Sequence, residues 1–243
     1  MFNTPLKYNY LIRSIHKSNT FKQLSKNIQS LSTDIHDYPD INVSKHQHIT
    51  LIALNRPDDK NKLNTSTIDS LQKAVRDFEN NDSSTVAVLY GEGGSFCAGY
   101  EPDESIESYQ KYNEFIKSYC QKPIIAAISG FAYNVGFDLS LWCDLRIVEE
   151  NAVMAVDRKS DALMSEAFFK RLSVSIGYSR AIDLILTGRD ICSKEAFECG
   201  LANRVVACGS SVGQAVNMAY NIGKFSIESI NRDRKMLQKC LDD

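Results

Sequence analysis

Two short stretches hold the residues whose types and spacing suit chemistry: Gly94-Ser95-Phe96-Cys97-Ala98-Gly99-Tyr100-Glu101, and Gly130-Phe131-Ala132-Tyr133-Asn134-Val135-Gly136-Phe137-Asp138, which runs on to Trp142-Cys143-Asp144. Each follows an apolar, β-branched run, at residues 85–90 and 124–128. Small residues just past a strand let main-chain N–H groups approach a ligand closely. Where such a turn opens a helix, the free amides and the helix dipole favour negative charge. Two such turns can aim two amides at one oxygen, which is the chemistry of a stabilised oxyanion.

Other reaction classes fit poorly. All four histidines, His16, His36, His46 and His48, precede the main apolar segments, so Ser-His or Cys-His chemistry has no downstream base. The Gly209-Ser210-Ser211-Val212-Gly213 match to a nucleophile elbow is therefore a decoy, since that order needs a His after the Ser. It reads as a loop in which Ser210 or Ser211 caps a helix. Gly91-Glu92-Gly93-Gly94-Ser95-Phe96 breaks the dinucleotide fingerprint at its last position, and there is no Walker loop. The seven cysteines lack a C-x-x-C pair, which argues against a disulfide scaffold or a zinc site and reads as buried thiols. No metal is expected. With 28 Lys and Arg against 30 Asp and Glu, the net charge of −2 leaves no basic footprint for nucleic acid. No apolar run reaches the ~18 residues of a membrane span.

Around these turns the periodicity predicts a strand at 49–54, then an amphipathic helix from Thr67 to Glu79 with Ile68, Leu71, Val75 and Phe78 on one face and Thr65 or Ser66 as its cap. Strand 85–90, a polar helix at about 105–119, strand 124–129, a helix at 134–142 and a strand at 144–148 follow. Beyond residue 175 helices are expected near 177–187, 193–199, 210–224 and 227–240. Residues 1–33 contain five Lys and Arg, many hydroxyl and amide side chains and no acid. That is the composition of a mitochondrial transit peptide, or of an ordinary disordered polar extension. The expected organisation is a leader over 1–43, cleaved before about Val43, and one domain over 44–243.

The two turns, with Ile49 to Pro57, Ser179 to Arg189 and Gly200-Leu201-Ala202-Asn203-Arg204-Val205-Val206, resemble the enoyl-CoA hydratase/isomerase (crotonase) superfamily, in order from about residue 48 to 225. The resemblance implies an α/β spiral of ββα units with a C-terminal helical region from about 176. It implies an acyl-CoA thioester as substrate in fatty acid or related acyl-CoA metabolism, hydratase (lyase) or isomerase chemistry, and no cofactor beyond the substrate's coenzyme A. Assembly into trimers or hexamers also follows from it, while the mitochondrial matrix is expected from the N-terminal composition. By motif position the oxyanion donors are the amides of Tyr100 and Val135, and Arg56, Ala98, Gly99 and Gly136 lie against the substrate.

Asp138 matches the first of two family glutamates, one methylene shorter, and burial would raise its pKa toward neutrality for acid–base work. Near the start of a helix it could equally be a capping carboxylate. The second glutamate position holds Arg158, which cannot be a base. Glu166 matches a later acid found in some relatives, although Ala167-Phe168-Phe169 replaces their small residues; it also reads as a solvated helix-start carboxylate. Asp157 and Asp161 are weaker candidates. Val135 stands where the family has Gly, and a β-branched residue resists positive φ. The short linker Pro102 to Lys122 implies a more open acyl pocket. Together these departures leave a second reading, a crotonase-fold acyl-CoA-binding or structural protein with impaired chemistry.

Overall fold

The computed structural model describes residues 38–101, 106–158 and 163–242. The chain up to residue 37, which carries most of the expected leader, and Asp161 lie outside these residues. Strand β1 (Ile41–His46) pairs antiparallel with β2 (Ile49–Leu54), and the boundary expected at residue 43 falls inside β1. Tyr38 is only 6 % exposed and donates to Asp77 Oδ2 at 2.6 Å. Its buried aromatic ring makes Tyr38 part of the core.

Six strands form the main sheet in the order β1-β2-β3-β4-β6-β9, with β3 at Val86–Gly91, β4 at Ile124–Ile128, β6 at Leu145–Glu149 and β9 at Arg204–Val206. From β2 onward every pairing is parallel. Parallel neighbours need crossovers, and helices supply them on one face. Helix α1 (Thr65–Asn80) returns the chain from β2 to β3, α2 (Ile106–Lys117) from β3 to β4, and α3 (Val135–Trp142) leads to β6. A three-stranded sheet, β5 (Phe131–Tyr133), β7 (Val153–Ala155) and β8 (Ile191–Cys192), packs beside them.

The apolar runs are continuous because both faces of the sheet are covered. Ile52, Leu54, Ala87, Leu89, Ala126 and Ile128 face the main core, whereas Ile49, Leu51, Val86, Val88, Ile125 and Ala127 face the other side. That side is closed by α7 (Ser211–Ile222), whose Ala215 and Ala219, one turn apart, let the helix approach closely. The other late helices are α4 (Glu166–Ile176), α5 (Tyr178–Thr187), α6 (Ser193–Glu198) and α8 (Ile227–Asp242). No helix among the described residues is long and apolar enough to cross a membrane.

Local signals explain most boundaries and correct some. The α1 face is buried as its periodicity predicts, but the cap is Asn64, whose side chain accepts from Thr67 N at 2.9 Å. Ser210 occupies the N-cap position of α7 without a capping bond, and Ser211 instead donates to the buried Glu149 at 2.8 Å. Cys97, Cys120 and Cys143 are buried thiols, while Cys192 and Cys208 are exposed. His46 and His48 belong to the β1–β2 hairpin. His48 stacks on Tyr220 of α7, across the sheet from Asp138.

Candidate active site

The two turns meet through main-chain pairing. Cys97 and Ala132 form a parallel bridge, with Cys97 N donating to Phe131 O and Tyr133 N to Cys97 O, both at 2.9 Å. A second bridge joins Leu63 to Tyr100: Leu63 N donates to Gly99 O and Glu101 N donates to Leu63 O. In this pattern Leu63 uses the residues flanking Tyr100, so the Tyr100 N–H is directed to the opposite edge. Ala98, expected against the substrate, gives its amide to Lys60 O at 3.0 Å. Gly99 has φ 114, open to glycine and strained for other residues.

The unusual backbone of the second turn lies one residue before the expected position. Asn134 has φ 50 and ψ −116, and Val135 is an ordinary first helical residue. A β-branched side chain is therefore tolerated at Val135, where it is 2 % exposed in the main core. The strain at Asn134 is offset by two bonds, Asn134 N to Ala155 O at 2.9 Å and Asp157 N to Asn134 Oδ1 at 2.8 Å. Asp157 thus takes part through its amide. Being first in α3, the Val135 amide has no acceptor within the helix. Gly136 brings the turns together: a Cβ there would stand 2.1 Å from Cys97 O.

Asp138 lies one turn along α3 from Val135, on the same side of the helix. It is 1 % exposed and does not cap the helix. Its Oδ2 accepts from Ser165 Oγ at 2.7 Å, and Oδ1 is buried with no hydrogen-bond partner. Burial pushes the carboxyl up to about 7, against the opposing pull of the Ser165 hydroxyl and the Arg171 guanidinium. Two surface clefts, of about 430 Å³ beside Trp142 and about 230 Å³ beside Arg171 and Arg234, are not lined by Tyr100, Val135 or Asp138.

Other expected site residues lie elsewhere. Glu166 is exposed as the first residue of α4, the solvated helix-start carboxylate of the alternative reading. Arg158 is exposed, with Nε donating to Ile185 O at 2.7 Å. Arg56 is held by carboxylates: Asp59 at 2.9 Å, Asp40 at 3.9 Å and Glu101, with Nη1 donating to Lys62 O at 2.9 Å. It braces the first turn, and its guanidinium is already committed. Phe168, in place of a small residue, fills the core edge-on to Phe137 at 5.3 Å.

Three residues of the site carry no chemical motif. Asn61, 1 % exposed, accepts from Arg56 N through Oδ1 and donates through Nδ2 to Glu92 O at 2.8 Å and Ser95 O at 2.7 Å, pinning the first turn to the loop after β2. Tyr112 of α2, 1 % exposed, donates to Val135 O at 3.2 Å and packs edge-on to Tyr100 at 5.9 Å. Ser165 is the third; a Ser immediately before a helix, followed by Glu166, is a readable cap signal.

Paired strand-to-turn segments, a helix opening at the second turn and a buried acid one turn along it define an enoyl-CoA hydratase/isomerase: the chain belongs to that family, whose pattern matches residues 44–243. An Arabidopsis thaliana protein named "Probable enoyl-CoA hydratase 2, mitochondrial" is 33 % identical over 204 residues, covering 79 % of this chain and 66 % of the relative. Among solved structures, an enoyl-CoA hydratase from Bacillus anthracis superposes with a TM-score of 0.79 at 28 % identity over 84 % of each chain. A monofunctional enoyl-CoA isomerase from M. smegmatis superposes at 0.74 with 29 % identity, over 84 % of this chain and 94 % of that one. The fold is thus the crotonase α/β architecture with its C-terminal helical region.

Proposed function

We propose that this chain is an enoyl-CoA hydratase/isomerase-type enzyme that forms an enolate from an acyl-CoA thioester and moves a proton at carbon with Asp138. The carrying observation is that one helix supplies both halves of the chemistry. Val135 opens α3 with an amide that lacks an intrahelical acceptor, and Asp138, one turn on, holds a buried Oδ1 with no protein partner. The thioester oxygen is held by the Val135 and Tyr100 amides as charge builds on it; loss of one such donor typically costs about 2.7–4 kcal/mol of barrier. A carboxyl with a pKa of about 7 is near its optimum for giving and taking protons at neutral pH.

Within this reading the geometry favours proton transfer over water addition shared between two carboxylates. Arg158 is exposed at the position of the second glutamate, and Glu166 is on the surface. Of the residues that suggested a binding protein without chemistry, Val135 and Phe168 are accounted for by helix geometry and core packing, whereas Arg158 and Phe169 are exposed. The reaction uses no cofactor beyond the substrate's coenzyme A.

The test is to incubate the protein with 2-enoyl-, 3-enoyl- and saturated acyl-CoA thioesters in heavy water and follow deuterium uptake by mass spectrometry. Exchange or double-bond migration that disappears in Asp138→Asn supports the reading. A folded protein that binds the panel without exchange, migration or hydration overturns it in favour of a binding role. The mitochondrial matrix and a fatty-acid-type pathway are proposed on the acid-free composition of residues 1–33 and the relative with "mitochondrial" in its name. Imaging of the tagged full chain checks the location. Assembly into trimers or hexamers is supported by apolar side chains exposed on α5 and α8, Leu186, Met236 and Leu237, and is checked by light scattering.

A further inference from the structure

Ser165 makes two hydrogen bonds with one hydroxyl. As the N-cap of α4 its Oγ accepts from Phe168 N at 2.9 Å, and the same oxygen lies 2.7 Å from Asp138 Oδ2. A hydroxyl has a single proton to give, and with its lone pair directed at an N–H that proton points at the carboxylate. Both side chains are nearly sealed, Ser165 at 4 % exposure and Asp138 at 1 %. If the carboxyl proton sat on Oδ2, the Ser165 hydrogen would lose its acceptor in a dry site. On Oδ1 it displaces nothing, because that oxygen has no hydrogen-bond partner.

We propose that Ser165 is a positioning residue that selects the working oxygen of Asp138: by donating to Oδ2 from the cap of α4, it confines the transferable proton to Oδ1 and fixes the direction in which the carboxyl presents it. The proposal rests on the reading of Asp138 as the proton-transfer group. It explains how a carboxylate one methylene shorter than glutamate is held in a single orientation, tied to the start of a different helix. The charged and titratable groups around Asp138 are Arg171 from α4, which attracts the carboxylate, Tyr112 from α2, and, next to Tyr112, Tyr100 and Cys97 of the first turn. Of these side chains, only the Ser165 hydroxyl is hydrogen-bonded to the carboxylate.

The experiment is carried out on the substrate-free protein. Carbon-13 NMR of the aspartate carboxyls, assigned with Asp138→Asn, gives the titration midpoint, and infrared spectroscopy gives the carbonyl stretch of protonated Asp138. In the wild type the midpoint is expected near 7 and the stretch at the low frequency of a hydrogen-bonded carbonyl. Ser165→Gly removes the hydroxyl but leaves a residue that caps helices nearly as well. It is expected to raise the midpoint by about one pH unit, a tenfold change in proton affinity, and to move the stretch to higher frequency. Ser165→Thr restores both. A folded Ser165→Gly protein with midpoint and stretch unchanged overturns the proposal, as does a wild-type stretch typical of a free carbonyl. Deuterium exchange is scored separately: exchange that persists in Asp138→Asn overturns the catalytic reading of Asp138, while the spectroscopic result still decides the role of Ser165.

Discussion

Gly136 sits against Cys97 so closely that a Cβ on it would lie 2.1 Å from the Cys97 carbonyl oxygen and 2.8 Å from the Cys97 Cβ. This contact joins the helix carrying Val135 and Asp138 to the turn carrying Tyr100. Gly136→Ala must push the two apart, because backbone cannot yield as a flexible side chain does. We expect a loss of about 1–3 kcal/mol in stability, typical of overpacking. Proton exchange should fall further than stability alone explains. Urea unfolding and exchange rates on the same preparation separate the two effects.

Asp138→Asn is expected to change the pH dependence of stability in a defined direction. The carboxyl is raised by burial from 3.8 to about 7, so between these values the folded chain holds a proton that the unfolded chain has released. Stability from this group is complete below about pH 4 and is lost as pH rises through 7. Relative to Asp138→Asn, the wild type should therefore lose up to about 1.4 kcal/mol per pH unit across that window and then level off. Urea midpoints from pH 4.5 to 8.5 measure it; a flat difference would place Asp138 at an ordinary carboxylate pKa.

Tyr112→Phe removes the hydrogen bond to Val135 O but keeps the ring against Tyr100. About 1 kcal/mol of stability should be lost. Turnover should fall several-fold with KM little changed, since the hydroxyl steadies the helix start rather than the bound thioester. Steady-state kinetics beside Tyr112→Leu, which also loses the ring contact, checks the order of the effects.

Glu166→Gln should leave exchange within about twofold and its pH profile unmoved, because the side chain is exposed at the start of α4 and any charge effect is screened by water. A tenfold loss would return Glu166 to the proton-transfer machinery.

Arg56→Ala is expected to act on stability more than on substrate affinity. The side chain is 15 % exposed among Asp40, Asp59 and Glu101, and removing it leaves those carboxylates without their shared partner. A cost of about 1–3 kcal/mol follows from losing charge-assisted hydrogen bonds. Thermal unfolding and acyl-CoA titration on one sample compare the two.

Long apolar strands and amphipathic helices were legible because periodicity is a local property. β2 runs over residues 49–54 as expected, although all six residues are buried and do not alternate, and the buried face of α1 is the one its apolar spacing draws. β5, β7 and β8, of two or three residues each, have too few positions for any period to show. The turns and Asp138 stood out because glycine and a lone acid in an apolar helix are conspicuous. Their supports did not: Asn61, Tyr112 and Ser165 work through partners 23 to 34 residues away, a pairing made by tertiary packing alone. Val135 misled because the positive φ belongs to its neighbour Asn134, and which residue of a turn bears the strain depends on where the helix begins.

The carboxylates around Arg56 also govern how a polyanion would experience this side of the molecule. Arg56, Lys60 and Lys62 stand against Asp40, Asp58, Asp59 and Glu101, three positive charges against four negative. A surface so balanced offers no long-range pull on an anionic ligand, so encounter there is set by diffusion and shape, and its rate should stay nearly level as ionic strength is raised.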